Sequence, residues 1–514
     1  MIKKAKTAAI YDRWLSTLGG GEQVVFAYAE TLNELGYEVY ILTHKKLDIN
    51  EAETKMGVSL KNIKILYLEQ KSSKELSEYS EKYDLFINSS YLDYFPNRSK
   101  NGFLNIFFPS EIYLSPYEFI KRALVIPSFK SFFIYPLSFE GFLYDEYKKK
   151  RIFKWLGKES SILLKNNVRK IHLTFYTETF YFSFFERIGF FLDDEEIKPV
   201  GKILNHHINE ITYSFAIKSN DKNKKLRIIL PKDDDNKVAL IKLTIPSIRF
   251  FFYNIFKNYF PKWEMRLHGG PGVTKRSDLE SYKSVITISK FCKKWITKYW
   301  GLNSEVLYPP VNTTNFLPSK NKQNIIINVG RFFVTGHSKK QLDLIKVFKK
   351  MVDENKTKNW ELHFVGSVHE GEEHQNYFDN CKKAAEGYPI IFHINIPFTN
   401  LKKLLAVSKI YWHATGLDEN ENENPILFEH FGITTVEAMA SGCVPVVINA
   451  AGQQEIVTSE SGFRWNNREE IADFTEELIN NESKLKLFQA GAIKRSKYFS
   501  RENFKKRFKY IIDK

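Results

Sequence analysis

The stretch Phe428-Glu429-His430-Phe431-Gly432-Ile433-Thr434-Thr435-Val436-Glu437-Ala438-Met439-Ala440-Ser441-Gly442-Cys443-Val444-Pro445-Val446-Val447 constrains this chain more than any other. Two carboxylates stand eight positions apart, one before a glycine turn and one inside an Ala-rich helical pattern, and a glycine and a β-branched run follow. The order is loop, helix, turn, strand. A loop entering a helix N-terminus presents unpaired backbone N–H groups and the positive end of the helix dipole, a ready site for a diphosphate. Gly432 permits close approach of backbone to ligand, and Thr434 or Thr435 is a candidate cap. Glu437, one turn inside, would reach past the phosphates to a ribose diol, while Glu429 faces the group on the far phosphate. A sugar nucleotide fits that layout. The plainer alternative is an amphipathic helix with a solvated Glu437, since Glu among Ala residues is a good helix former.

The segment resembles the E-x7-E motif of the retaining glycosyltransferases of family 4, which have the GT-B architecture of two facing Rossmann-like domains. The resemblance implies that Glu429, with Phe431, Gly432 and Ile433, holds the donor sugar, that Thr434 belongs to the same donor site, and that Glu437 holds the ribose. Three further regions match in order. Leu18-Gly19-Gly20-Gly21-Glu22 lies between the apolar run Ala8-Ala9-Ile10-Tyr11 and a helical pattern ending at Gly36, a βαβ opening. It resembles the family's G-G-x-E loop, so Gly19 and Gly20 inherit contact with the donor diphosphate and the acceptor; a tight turn without ligand is the alternative. The strand Asn324 to Val329 ends in Gly330-Arg331, with Lys339 opening the next apolar helix. Cations there can converge on the crevice at the strands' carboxyl edge and neutralise a leaving diphosphate. The family's G-R…K pair assigns that clamp to Arg331 and Lys339, leaving Lys340 as the solvated neighbour. Asn303 to Asn312 is a strand stopped by Pro309-Pro310, preceded by Ile288-Ser289-Lys290-Phe291, and it is similar to the family's interdomain linker. The matching regions span roughly two thirds of the chain.

One departure concerns the strand Asn105-Ile106-Phe107-Phe108-Pro109-Ser110-Glu111, where many relatives carry a histidine and this chain has phenylalanine. His268 and His413 are candidates to line the cleft, and each reads as structural or surface rather than catalytic.

The length of 514 residues accommodates more than two domains at about 150 residues each, and 43% hydrophobic content is ample for packed cores. Three widely spaced cysteines argue against a disulfide framework and for a reducing cytosol. No signal peptide is read at the N-terminus, and no run approaches the ~18 apolar residues needed to cross a bilayer.

The expected fold class is α/β: a GT-B pair of Rossmann-like domains with a β-rich, sandwich-like module inserted in the first. Residues 1–115 and 262–312 form the N-terminal acceptor domain, 116–261 the insertion, 313–499 the nucleotide-sugar domain, and 500–514 a terminal helix returning to the N-domain. Strands are expected at Lys170 to Phe185, Ile197 to Ile203, Glu210 to Ile217, Lys225 to Leu230 and Val238 to Ile245 within the insertion. Asp418 to Asn424 reads as a mobile loop beside the donor site. Asp233-Asp234-Asp235 reads as a solvated turn rather than a metal site.

Net charge is +16, and Tyr117 to Lys170 holds twelve Lys/Arg against five Asp/Glu, interleaved with aromatics and closing on Lys148-Lys149-Lys150-Arg151. That pattern suits an anionic membrane surface or a lipid phosphate, or a Phe-rich core with a solvated edge. Nucleic acid, on which aromatics stack, is the other class it would suit, and it is not an expected partner.

The expected activity is transfer of a sugar from a nucleotide-diphosphate sugar to a glycan or lipid-linked acceptor hydroxyl, with retention of configuration. The departing phosphate helps take the acceptor proton, and Glu429, Arg331 and Lys339 orient and stabilise charge. No cofactor or metal is expected, and the setting is cytoplasmic, peripheral at the inner membrane face. A non-catalytic glycan- or lipid-binding protein and a nucleotide-sugar epimerase or phosphorylase are the rivals.

Overall fold

The computed structural model describes residues 6–68, 73–91, 93–110, 138–148, 151–165, 168–177, 182–205, 208–217, 223–231, 238–248, 251–252, 255, 276–334, 336–357, 359–368 and 372–514. His268, Asp233 to Asp235, Lys149, Lys150 and the 117–137 part of the basic stretch lie outside them.

Near-continuous apolar runs, suited to strands covered on both faces, build the first sheet. Its early strands are β1 (Thr7–Tyr11), β2 (Glu38–Thr43), β3 (Ile63–Tyr67), β4 (Leu85–Asn88) and β5 (Asn101–Ile106). Helix α1 (Gly20–Glu34) connects β1 to β2, and Gly36 then turns the chain in the left-handed region.

The chain next leaves this sheet for an antiparallel one. Its strands are β6 (Ser138–Lys148), β7 (Arg151–Leu164), β8 (Lys170–Thr177), β9 (Gly189–Leu192), β10 (Glu195–Glu196), β11 (Gly201–Asn205), β12 (Glu210–Ala216), β13 (Lys224–Ile229) and β14 (Val238–Thr244). The order is β10-β9-β13-β7-β14-β8-β12-β11, with β6 also on β7. The long β7 pairs with β13 through its C-terminal half and with β14 near Lys154 and Trp155. The two wings therefore share β7, and they face each other: Phe190 of β9 lies 4.8 Å from Phe215 of β12. The inserted β-rich module is one nine-stranded sheet folded about β7. Two strand expectations are corrected here. The strand from Lys170 ends at Thr177, and Phe182–Glu186 is a short helix. The strand expected from Ile197 starts only at Gly201, because Pro199 has no N–H for the ladder.

Within the basic, aromatic stretch, the described residues 138–148 and 151–164 form the strands β6 and β7. Phe153 and Trp155 are buried, and Lys154 is buried with its ammonium over Phe139 and Phe142. Phe153 and Trp155 pack within the module, in a cluster with Ala239.

The first sheet is completed by β15 (Ser284–Thr287) and β16 (Glu305–Val306), giving the all-parallel order β16-β15-β5-β4-β1-β2-β3. The second of these is two residues long, within the segment Asn303 to Asn312 read as a strand stopped by prolines. Between them runs α2 (Lys290–Trp300), capped by Ser289 and ended by Gly301 in the left-handed region.

The second parallel sheet comprises β17 (Ile325–Val329), β18 (Glu361–Gly366), β19 (Ile390–Ile394), β20 (Ile410–His413), β21 (Val444–Ile448) and β22 (Phe463–Trp465), in the order β19-β18-β17-β20-β21-β22. Order reverses beside β17, and ligands bind outside the carboxyl ends of strands at such a switch point. Helices α3 (Gln341–Asp353) and α4 (Ile433–Ala440) cover it. The terminal helix α5 (Arg501–Asp513) packs back on α1: Phe508 lies 4.5 Å from Tyr28, and Lys505 pairs with Glu30 at 2.9 Å. Among the described residues, no helix is long and apolar enough to cross a membrane.

Candidate active site

β17 is followed by Gly330, where a side chain would stand 2.6 Å from Lys339 Cγ. Glycine thus lets the lysine stem lie across the strand end. Lys339 Nζ reaches Glu429 Oε2, and His413, ending β20, brings Nε2 to the same oxygen at 3.2 Å. A carboxylate only accepts, so His413 donates through Nε2–H. Burial alone would raise the Glu429 pKa, but the charge of Lys339, the His413 hydrogen bond and nearby His337 hold it well below the ordinary carboxylate range. Burial also lowers His413 and His337 from the ordinary imidazole value.

Glu429 leads into α4 through Phe431 and Gly432. Gly432 has φ 117° and serves as N-cap, a conformation L side chains rarely adopt. The expected threonine cap is absent: Thr434 Oγ1 lies 3.0 Å from Tyr411 Oη instead, and no side chain caps the helix. The first turn of α4 therefore retains donors for an anion. Thr435 Oγ1 and both polar atoms of the Gln453 amide are buried near this turn without hydrogen-bond partners. Gly452 supports the loop from below, its N–H donating to Glu429 O at 2.9 Å. Glu437 is buried one turn on, and burial lifts its pKa to about 8.

The first sheet supplies the opposite wall. A side chain at Gly20 would stand 2.7 Å from Ile433 Cδ1, so the glycine loop and the start of α4 approach each other across the cleft. Gly19 N–H is capped by Glu22, whose pKa burial raises. Behind it, burial and then Glu22 lift Asp12 to about 8. Phe108, just beyond β5, stacks on His430 with ring centroids 4.2 Å apart.

Glu429, Lys339, Gly19, Gly20, Phe431, Gly432, Ile433, Thr434 and Glu437 thus gather around one cleft. Arg331 is exposed nearby, its guanidinium over Phe333 at 5.5 Å. Two expectations are corrected. Lys340 is not a solvated neighbour; it pairs with Glu419 at 2.8 Å. Asp418 to Asn424 does not hang free, because Arg468 holds Asp418 and Lys294 of α2 holds Glu421 at 2.7 Å. Three residues were not singled out from sequence, or were set aside: His413, His430 and Glu455. The position of His413 at a strand's carboxyl end, and of His430 beside Glu429, were the available signals. Glu455 had none, since its partners are 147 to 165 positions away.

Two parallel sheets facing across a cleft, with a cation–carboxylate pair and an uncapped helix start between them, form a GT-B fold. Residues 312–495 match the family model of glycosyl transferases group 1. The Dictyostelium discoideum GDP-Man:Man(3)GlcNAc(2)-PP-Dol alpha-1,2-mannosyltransferase is 25% identical over 228 residues, covering 42% of this chain and 43% of that protein. The chain thus matches less than half the length of that curated relative. Among solved structures, a glycosyltransferase from Rickettsia africae superposes with TM-score 0.51 at 13% identity, over 99% of this chain and 98% of that one. HepE from Anabaena, in complex with UDP and glucose, gives TM-score 0.51 at 11% identity over 99% of each chain.

Proposed function

We propose that this chain transfers a sugar from a nucleotide-diphosphate sugar to a hydroxyl of a glycan or lipid-linked glycan, with retention of the anomeric configuration. The observation that carries the reading is the convergence of Glu429, Lys339 and His413 at the uncapped start of α4. In this reading the N–H groups of α4 and Arg331 receive the diphosphate, and Lys339 neutralises charge as the leaving group departs. Ionised Glu429, with Phe431, Gly432 and Ile433, orients the donor sugar, while Glu437 takes the ribose diol. Thr434 completes the donor wall, and Gly19 with Gly20 closes the acceptor side. The departing phosphate accepts the acceptor proton, so the protein supplies orientation and charge rather than a nucleophile. Arg331 and Lys339 provide the cationic charge, and the reaction proceeds without metal or other cofactor.

The name of the Dictyostelium relative carries a GDP-mannose donor and a diphosphate-lipid-linked acceptor. We therefore take GDP-mannose as the first donor and a lipid-linked glycan as the first acceptor class, with work at the cytoplasmic face of a membrane. The test is incubation of the chain with GDP-, UDP- and ADP-sugars, with and without a glycan alcohol. Acceptor-dependent release of nucleoside diphosphate, with an α-linked product by NMR, is expected. Conversion of donor alone, or a β-linked product, would defeat the proposal.

A further inference from the structure

Ile248, Phe251, Phe252 and Ile255 are 76, 61, 57 and 40% exposed, four large apolar side chains within eight positions. All four lie in helical backbone, and their spacing of three, four and seven puts them on one face. Phe251 N–H donates to Ser247 O at 3.0 Å, and the rings of Phe251 and Phe252 meet edge to face at 5.9 Å. Elsewhere in the module Phe153, Trp155, Phe175, Phe190 and Phe215 are buried, while Val200 and Ile203 are exposed. Such an exposed apolar face marks a surface that something else covers.

Charge selects the occupant. From Asn236 to Trp263 the sequence contains no Asp or Glu, while Lys237, Lys242, Arg249, Lys257 and Lys262 are cationic. Lys242, on the preceding strand, is exposed. An apolar stripe within an acid-free, cationic segment matches a surface that is anionic outside and hydrocarbon beneath, the boundary layer of a bilayer. A second copy would bring a further +16 against the first, which disfavours self-association.

We propose that Ile248, Phe251, Phe252 and Ile255 seat in the headgroup layer of an anionic membrane and hold the inserted module there. The proposal deepens the lipid-linked acceptor reading and rests on it for purpose, while its geometry stands apart. The full chain is sedimented with vesicles of equal parts phosphatidylcholine and phosphatidylglycerol, and with phosphatidylcholine alone. A variant carrying Ile248→Ser, Phe251→Ser, Phe252→Ser and Ile255→Ser is treated alike, and thermal denaturation checks that it is folded. The chain should bind the anionic vesicles in preference to the neutral ones, and the variant should bind them roughly tenfold more weakly or less, since partitioning scales with buried apolar area. Equal binding by both proteins, or no binding by the unaltered chain, would overturn the proposal. So would sedimentation-velocity data in which the variant loses only self-association, which would assign the stripe to a second copy. Sugar transfer to a soluble acceptor, measured on the same samples, separates the two readings. Its absence in both proteins would remove the functional proposal and leave the vesicle result standing.

Discussion

The imidazole of His430 lies face to face with the ring of Phe108, centroids 4.2 Å apart and planes within 9°. One ring follows β5 and the other enters α4, so the contact joins the two sheet units. Burial, with His337 adding, carries His430 down to about 3. A histidine depressed in the folded state is neutral in both states above its ordinary value; below it, only the unfolded state takes the proton. Stability is therefore complete above about pH 6.5 and falls as pH drops toward 3. Between about pH 7 and 5 this amounts to about 2 kcal/mol. His430→Phe keeps a stacked ring without the titration, so its melting temperature should fall less on acidification. Parallel pH profiles for the two proteins would contradict this.

Glu455 accepts from the Lys290 and Phe291 N–H groups at 2.9 and 2.8 Å and from Tyr308 Oη–H at 2.8 Å. It thereby links the loop beneath Glu429 to the N-terminus of α2 and to the interdomain linker. Arg495 fixes the Glu455 backbone carbonyl from the other side at 2.6 Å. Glu455→Ala should cost about 2 to 3 kcal/mol, because it strands charge-assisted donors. The radius of gyration from solution scattering should rise as the two units separate, and an unchanged scattering curve would show that other contacts suffice.

Lys339 is the partner that keeps half-buried Glu429 ionised. Lys339→Ala and Glu429→Gln should each lower kcat by ~100-fold or more while circular dichroism stays unchanged. Near-normal turnover in both would remove these residues from the chemistry.

Burial lifts the Glu437 carboxyl to about 8. Hydroxyl donors on a bound ribose would favour the ionised carboxyl and lower that value, so binding releases a proton below about pH 8. Nucleotide affinity should then rise with pH from about 6 to 8, and Glu437→Gln should flatten the profile. Calorimetry in buffers of different ionisation enthalpy reads the released proton directly, and a wild-type profile as flat as the variant's would refute it.

Activity should persist in EDTA, because Arg331 and Lys339 carry the charge that a metal would otherwise supply. Loss of turnover with rescue by Mg²⁺ or Mn²⁺ would return attention to Asp233-Asp234-Asp235.

Local sequence determined much of the scaffold. Apolar runs such as Ile325–Val329 and Val444–Ile448 are strands because both faces are covered, and Gly432 precedes a helix because few other residues adopt its φ. The spacing of Glu429 and Glu437, and of Arg331 and Lys339, was legible because one loop and one strand end carry each pair. Only the tertiary structure decided what lies far apart in sequence and close in space. It turned the aromatics of β7 inward, since which face of a strand is buried depends on its neighbours in the sheet. It pinned the Asp418 to Asn424 loop through Lys294 and Arg468, and it gave His413 a carboxylate and His430 a phenyl ring. Charge pairing and burial set those roles, and both are properties of the packed chain rather than of any segment.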